Sequence, residues 1–175
     1  MFLFAFNIAM KAYWSIGALA FFLLACVRDN GQGANLQVGD SLPLFCIQME
    51  DGTTLKTADL LDSPSLLIFF HTSCSDCRAT LPRVQKLFEE YGKQCRFVAV
   101  SREQSTPEVR AWWDANGITL PFSAQTDRKV YELFAGSRIP RVYVADRTGT
   151  VRAVFDDNPC PDKEALEAAI QGVLL

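Results

Sequence analysis

The chain opens on an almost unbroken apolar stretch and settles into short apolar segments separated by polar ones near Gly39. Leu42 to Met49 and Thr53 to Thr57 read as short strands around the turn sequence Glu50-Asp51-Gly52. Leu66 to Phe70 is a continuous apolar run, the mark of a strand buried on both faces, as in the middle of a parallel sheet. Ala79 to Tyr91 carries Leu81, Val84, Leu87 and Phe88 at helical spacing, with Gly92 as a stop. Phe97 to Val100 is another short apolar strand. A helix is marked over Ser105 to Gly117: Ser105 or Thr106 caps it, Pro107 suits its first turn and Gly117 ends it. Adjacent residues on a helix face different ways, so one of Trp112 and Trp113 belongs to the core and the other covers an edge or a partner.

Lys129 to Phe134 reads as a short helix. Val142 to Ala145 and Val151 to Phe155 flank the turn sequence Asp146-Arg147-Thr148-Gly149 as an antiparallel hairpin. Asp162 to Leu174 is the last helix, with Ala165, Leu166, Ala169, Ile170 and Val173 as its apolar stripe. Strands and helices alternate and then close in a hairpin and a helix. That order predicts an α/β fold with a mixed sheet flanked by helices.

The opening stretch is a separate matter. Read from Met10, it has a short positive start at Lys11, an apolar core from Ala12 to Ala25, and an end, Leu23-Leu24-Ala25-Cys26, that resembles a bacterial lipobox. The expectation is a signal peptide over residues 1–25 with its true start at Met10, lipidation of Cys26, and a polar, glycine-rich tether over 26–38 leading into a domain over 39–175. The alternative is an uncleaved transmembrane anchor, with Lys11 inside the span. Either reading exports the domain and fastens it to a membrane, facing the periplasm.

Length and charge narrow the field. The chain has 175 residues, room for one domain and a leader, and a formal net charge of −3 without basic clusters, so nothing calls for a nucleic-acid partner. Six cysteines are too few for a disulfide-built scaffold of this length.

The chemistry concentrates where the apolar strand stops. The sequence there is His71-Thr72-Ser73-Cys74-Ser75-Asp76-Cys77, followed by the helical pattern. Two thiols so placed have three readings: a redox pair, half of a metal site, or a structural crosslink. A zinc site wants a second close pair, and Cys46, Cys95 and Cys160 are scattered singly, so no metal is expected. A crosslink closing so short a loop gains little chain entropy. A redox pair fits the position: Cys74 begins a helix, whose first N–H groups lack partners and carry positive partial charge, and a thiolate there is stabilised. Cys77 follows by nearly one turn. Cys74 is then the attacking thiol and Cys77 the resolving one.

The stretch Phe69 to Phe88, with Pro82 five residues after Cys77, resembles the active-site strand, turn and kinked helix of thioredoxin-fold proteins. Gly136 to Val151 resembles the family segment in which a cis proline, here Pro140, faces the cysteines. The opening Gly39 to Leu60 and the stretch Val100 to Pro140 resemble membrane-tethered thiol-disulfide oxidoreductases of the TlpA/ResA type. The resemblance implies a thioredoxin-like domain with an added N-terminal β-hairpin and an inserted helix. It implies protein disulfides or dithiols as substrates, held through the backbone at Ile139 and Pro140. It further implies a membrane thiol electron-transfer partner and no bound cofactor.

Two departures bear on the redox direction. Ser73 stands where the family often has Trp, and Ser75-Asp76 replaces the common Gly-Pro or Glu-Pro between the cysteines. A carboxylate beside Cys74 disfavours its thiolate and makes the dithiol the better reductant, unless Asp76 points to solvent. His71, the only histidine, either ends the strand or modulates the thiols by shuttling a proton. Cys46, Cys95 and Cys160 are expected to be small semi-buried fillers, with Cys160, between two prolines, the one open to exposure. A Cys46–Cys160 bridge stays open.

Two other functions compete. A peroxidase of the peroxiredoxin type shares the fold, but its reactive cysteine usually has Thr or Ser three residues before it and Pro seven before; here His71 and Leu67 stand there. A binding module would keep the fold and use the cysteine pair only structurally.

Overall fold

The computed structural model describes residues 35–175. The signal-like segment, Lys11, Cys26 and the first part of the expected tether lie outside the described residues.

Two short strands, β1 (Cys46–Gln48) and β2 (Thr54–Lys56), form the expected N-terminal hairpin, with Ile47 opposite Leu55. β3 (Ser65–Phe70) follows and leads into α1 (Ser75–Tyr91). Then come β4 (Arg96–Ser101), α2 (Thr106–Asn116), β5 (Phe122–Ser123) and the short α3 (Lys129–Glu132). β6 (Arg141–Ala145), β7 (Val151–Phe155) and α4 (Lys163–Leu174) complete the chain.

The main sheet has the order β5-β4-β3-β6-β7. β3 runs parallel to β4 and antiparallel to β6, so the sheet is mixed and β3 is its centre. This is why Leu66 to Phe70 reads as a solid apolar run: every residue of β3 is buried. Successive side chains take opposite faces. Phe69 packs against Tyr131, Phe134 and Tyr143, while Phe70 packs against Trp113. Each of these large side chains contributes about 1.5–3 kcal/mol by leaving water. Phe45 meets Phe134 edge to face, bringing the N-terminal segment over the Phe69 face.

The helix ends follow the sequence. In α2, Glu108 accepts from the Ser105 N–H at 2.7 Å, Pro107 sits in the first turn and Gly117 closes the helix at φ 62°. Trp113 is the core tryptophan, its indole donating to the Leu120 carbonyl at 2.8 Å, while Trp112 is half-buried. In α4, the Asp162 carboxylate accepts from the Ala165 N–H at 2.8 Å. α4 lies beside α1, tied by Tyr91 to Glu167 at 2.7 Å and by Lys163 to Glu90 at 3.2 Å.

α1 starts four residues before its apolar spacing does. Its first turn, Ser75-Asp76-Cys77-Arg78, has no apolar stripe to announce it; the cap that starts it is a thiol.

Candidate active site

β3 delivers the chain to one end of the sheet's central strands, and four residues turn it into α1. The Cys74 N–H donates to the His71 carbonyl at 3.0 Å, closing the turn. Inside it, the Ser73 N–H donates to His71 Nδ1 at 3.1 Å, and the Ser73 hydroxyl lies 2.8 Å from the same nitrogen. The Thr72 N–H donates to Gln104 Oε1 at 2.9 Å, and Gln104 Nε2 donates to Thr72 Oγ1 at 2.6 Å.

Cys74 caps α1 with an extended backbone, and its sulfur accepts from the Cys77 N–H at 3.4 Å. The Cys74 thiol donates to the Ile139 carbonyl at 3.5 Å. One sulfur thus meets the start of a helix on one side and the backbone before Pro140 on the other. Cys74 is half-buried and Cys77 fully buried, and both are free thiols.

Burial pushes the Cys77 thiol far above its ordinary range. A hydrogen bond from the His71 backbone pulls the other way, the Cys74 sulfur adds to the rise, and the positive charge of Arg102 opposes it. Arg102 leaves the end of β4 beside β3, its N–H on the Phe70 carbonyl at 3.1 Å. Its guanidinium lies 4.8 Å from the centre of the Tyr131 ring, and its buried Nε has no hydrogen-bond partner. No chemical motif in the sequence singles out Arg102.

The peptide bond from Ile139 to Pro140 is cis, as the resemblance implies. The loop leading to it is pinned from several sides. Tyr131 donates to the Arg138 carbonyl at 2.6 Å, Arg128 to the Gly136 carbonyl at 3.2 Å and Arg141 to the Ser137 carbonyl at 3.3 Å. Ion pairs of Arg138 with Asp157 at 3.1 Å and Arg141 with Asp156 at 3.6 Å fasten it to the segment after β7.

The structure therefore brings Cys74, Cys77, Ile139, Pro140 and the backbone of His71 together. It leaves Asp76 exposed to solvent, where its charge acts on Cys160, whose thiol burial and Asp76 both push upward. Pro82 lies inside α1, on its exposed side. Of the expected fillers, Cys95 is buried, which pushes its thiol up to about 12, and Cys160 is half-buried. Cys46 corrects the expectation. It is exposed, because alternation in β1 turns Ile47 inward and Cys46 outward. Cys46 and Cys160 are both free. Among the described residues, no group of three His, Cys, Asp or Glu side chains is placed to hold a metal ion.

A mixed sheet with a dithiol at the start of one helix and a cis proline against it defines a thioredoxin-like protein. The sequence matches the AhpC/TSA family over residues 38–154, and the chain belongs to that family. It is 26% identical over 144 residues to the thiol-disulfide oxidoreductase ResA of Oceanobacillus iheyensis, covering 79% of this chain and 74% of that one. It is 29% identical over 155 residues to the thioredoxin-like protein YneN of Bacillus subtilis, covering 83% of this chain and 90% of that one. A thiol:disulfide interchange protein of the thioredoxin family from Chlorobium tepidum TLS superposes with a TM-score of 0.68 at 21% identity, covering 81% of this chain and 100% of that one.

Proposed function

We propose that this protein is an extracytoplasmic thiol-disulfide oxidoreductase in which Cys74 attacks and Cys77 resolves. One observation carries the reading: the Cys74 sulfur lies within reach of both the Cys77 N–H and the Ile139 carbonyl, so attack, substrate contact and resolution meet at one atom. In the reducing direction the Cys74 thiolate attacks a substrate disulfide and displaces one substrate thiolate. Cys77 then loses its proton and attacks the Cys74 sulfur, releasing the second substrate thiol. Two electrons pass to the substrate and a Cys74–Cys77 disulfide remains, to be reduced by a membrane thiol-transfer partner. Ile139 and Pro140 offer an extended substrate chain backbone contacts that tolerate many sequences.

The leader supports export, lipidation at Cys26 and a tethered domain over residues 39–175. Among the described residues no helix is long and apolar enough to cross a membrane. Labelling with a radioactive fatty acid tests the anchor: the wild type takes up label and Cys26→Ser does not.

The activity is tested by trapping. Cys77→Ser accumulates mixed disulfides with exported proteins, seen as reductant-sensitive bands, and Cys74→Ser accumulates none. Equal trapping by both variants contradicts the assignment of roles. Peroxide consumption that outpaces disulfide reduction would instead favour a peroxidase.

A further inference from the structure

Three backbone donors of the turn before Cys74 have partners, and one of them goes to a residue far away in sequence. The Cys74 N–H is taken by the His71 carbonyl and the Ser73 N–H by the His71 ring. The Thr72 N–H has no partner within the turn. It is taken by the side chain of Gln104, which follows β4 and is almost wholly buried, at 4% exposure.

Gln104 makes two bonds to the same residue. Its amide oxygen accepts from the Thr72 N–H at 2.9 Å, and its amide nitrogen donates to Thr72 Oγ1 at 2.6 Å. A side-chain amide holding both the backbone and the hydroxyl of one residue fixes that residue's position and its rotation. Gln104 is itself held: its own N–H donates to the Gln125 carbonyl at 2.9 Å, beside β5. The preceding Glu103 has φ 58°, so the chain folds sharply there, between Arg102 and Gln104.

We infer that Gln104 is a positioning residue for thiol exchange, clamping Thr72 so that the Cys74 sulfur stays over the Cys77 N–H and against the Ile139 carbonyl. The inference rests on Cys74 being the attacking thiol. Without the clamp, the Thr72 N–H loses its acceptor in a half-buried site. The turn then recovers a partner by rotating, and Cys74, two residues on, moves with it.

The test is alkylation of the full-length reduced protein in detergent by iodoacetamide across pH, followed on each cysteine-containing peptide by mass spectrometry. Three variants separate position from fold. Gln104→Met keeps the size and removes both bonds. Thr72→Val removes the hydroxyl partner alone. Gln104→Glu keeps both contacts, because the Thr72 hydroxyl can turn to donate, but adds a charge.

Gln104→Met is expected to slow Cys74 alkylation at neutral pH by about tenfold, because a sulfur displaced from the helix N-terminus loses the contacts that favour its thiolate. Adding Thr72→Val to it changes little more, since the two residues act as one unit. Gln104→Glu is expected to recover the wild-type rate at high pH while its midpoint moves upward. If Gln104→Met stays within twofold of wild type at every pH, or if the two substitutions add independently, the clamp is wrong and the redox reading stands. If wild-type Cys74 reacts no faster than exposed Cys46, the redox reading fails and this inference with it.

Discussion

On the proposed mechanism, Cys77 loses a proton inside the protein before it closes the disulfide. Burial opposes that loss, and the pull of the His71 N–H and of Arg102 only offsets part of it. A thiol held high in this way resolves faster as pH rises, because the thiolate is the attacking form. Arg102→Gln is therefore expected to lengthen the life of the mixed disulfide by up to about tenfold, the factor that follows if Cys77 holds its proton tenfold more tightly. The quenched-flow rate of resolution, measured against pH, checks it: the profile moves to higher pH in the variant, and an unmoved profile removes Arg102 from the mechanism. The sequence announces the two cysteines, Ile139 and Pro140 because spacing and resemblance pick them out. It does not announce Arg102 or Gln104. They reach the site only because β4 pairs beside β3 in register, Phe70 opposite Ser101, a contact across some thirty residues of chain. Asp76 shows the converse. Its neighbour in sequence is Cys77, yet its exposed carboxylate acts on Cys160, so its weight in the redox direction rests on distance in space, not along the chain.

At the level of the element, apolar spacing located the long pieces, while capping residues, not spacing, marked the helix ends. β5 has two residues and follows Pro121, too short to show alternation. α1 begins on Ser75 and Asp76, both exposed, so no apolar spacing marks its first turn. The β6–β7 turn was legible in Asp146-Arg147-Thr148-Gly149, and the structure gives its mechanism. Burial works against the Asp146 charge, but the Thr148 hydroxyl, Arg152 and the Thr148 and Thr150 N–H groups together hold its carboxyl well below the usual range. A depressed native value means the turn's contribution is present above the ordinary carboxylate pKa and fades as pH falls through the native one. Asp146→Asn is expected to cost about 1 kcal/mol at neutral pH, after allowing for solvent around the turn, and less as the solution is acidified. Urea unfolding at neutral and acidic pH measures it. A cost that grows in acid would contradict the sign.

Across the whole molecule, the fold brings three separate stretches to one end of the central strands: the strand-to-helix turn with its cysteines, the segment leaving β4, and the cis-proline loop entering β6. The solid apolar β3 leads to that end, and β4 and β6 flank it on either side. The central claim is that Cys74 and Cys77 form a reversible redox couple. The most direct measurement is the reduction potential of that couple in the full-length protein, by equilibration with thiol buffers and mass analysis of the Cys74–Cys77 peptide. The account predicts a reversible two-electron couple between Cys74 and Cys77, with a potential inside the range that thioredoxin-like dithiols span, roughly −270 to −120 mV. The absence of any reversible couple would contradict it.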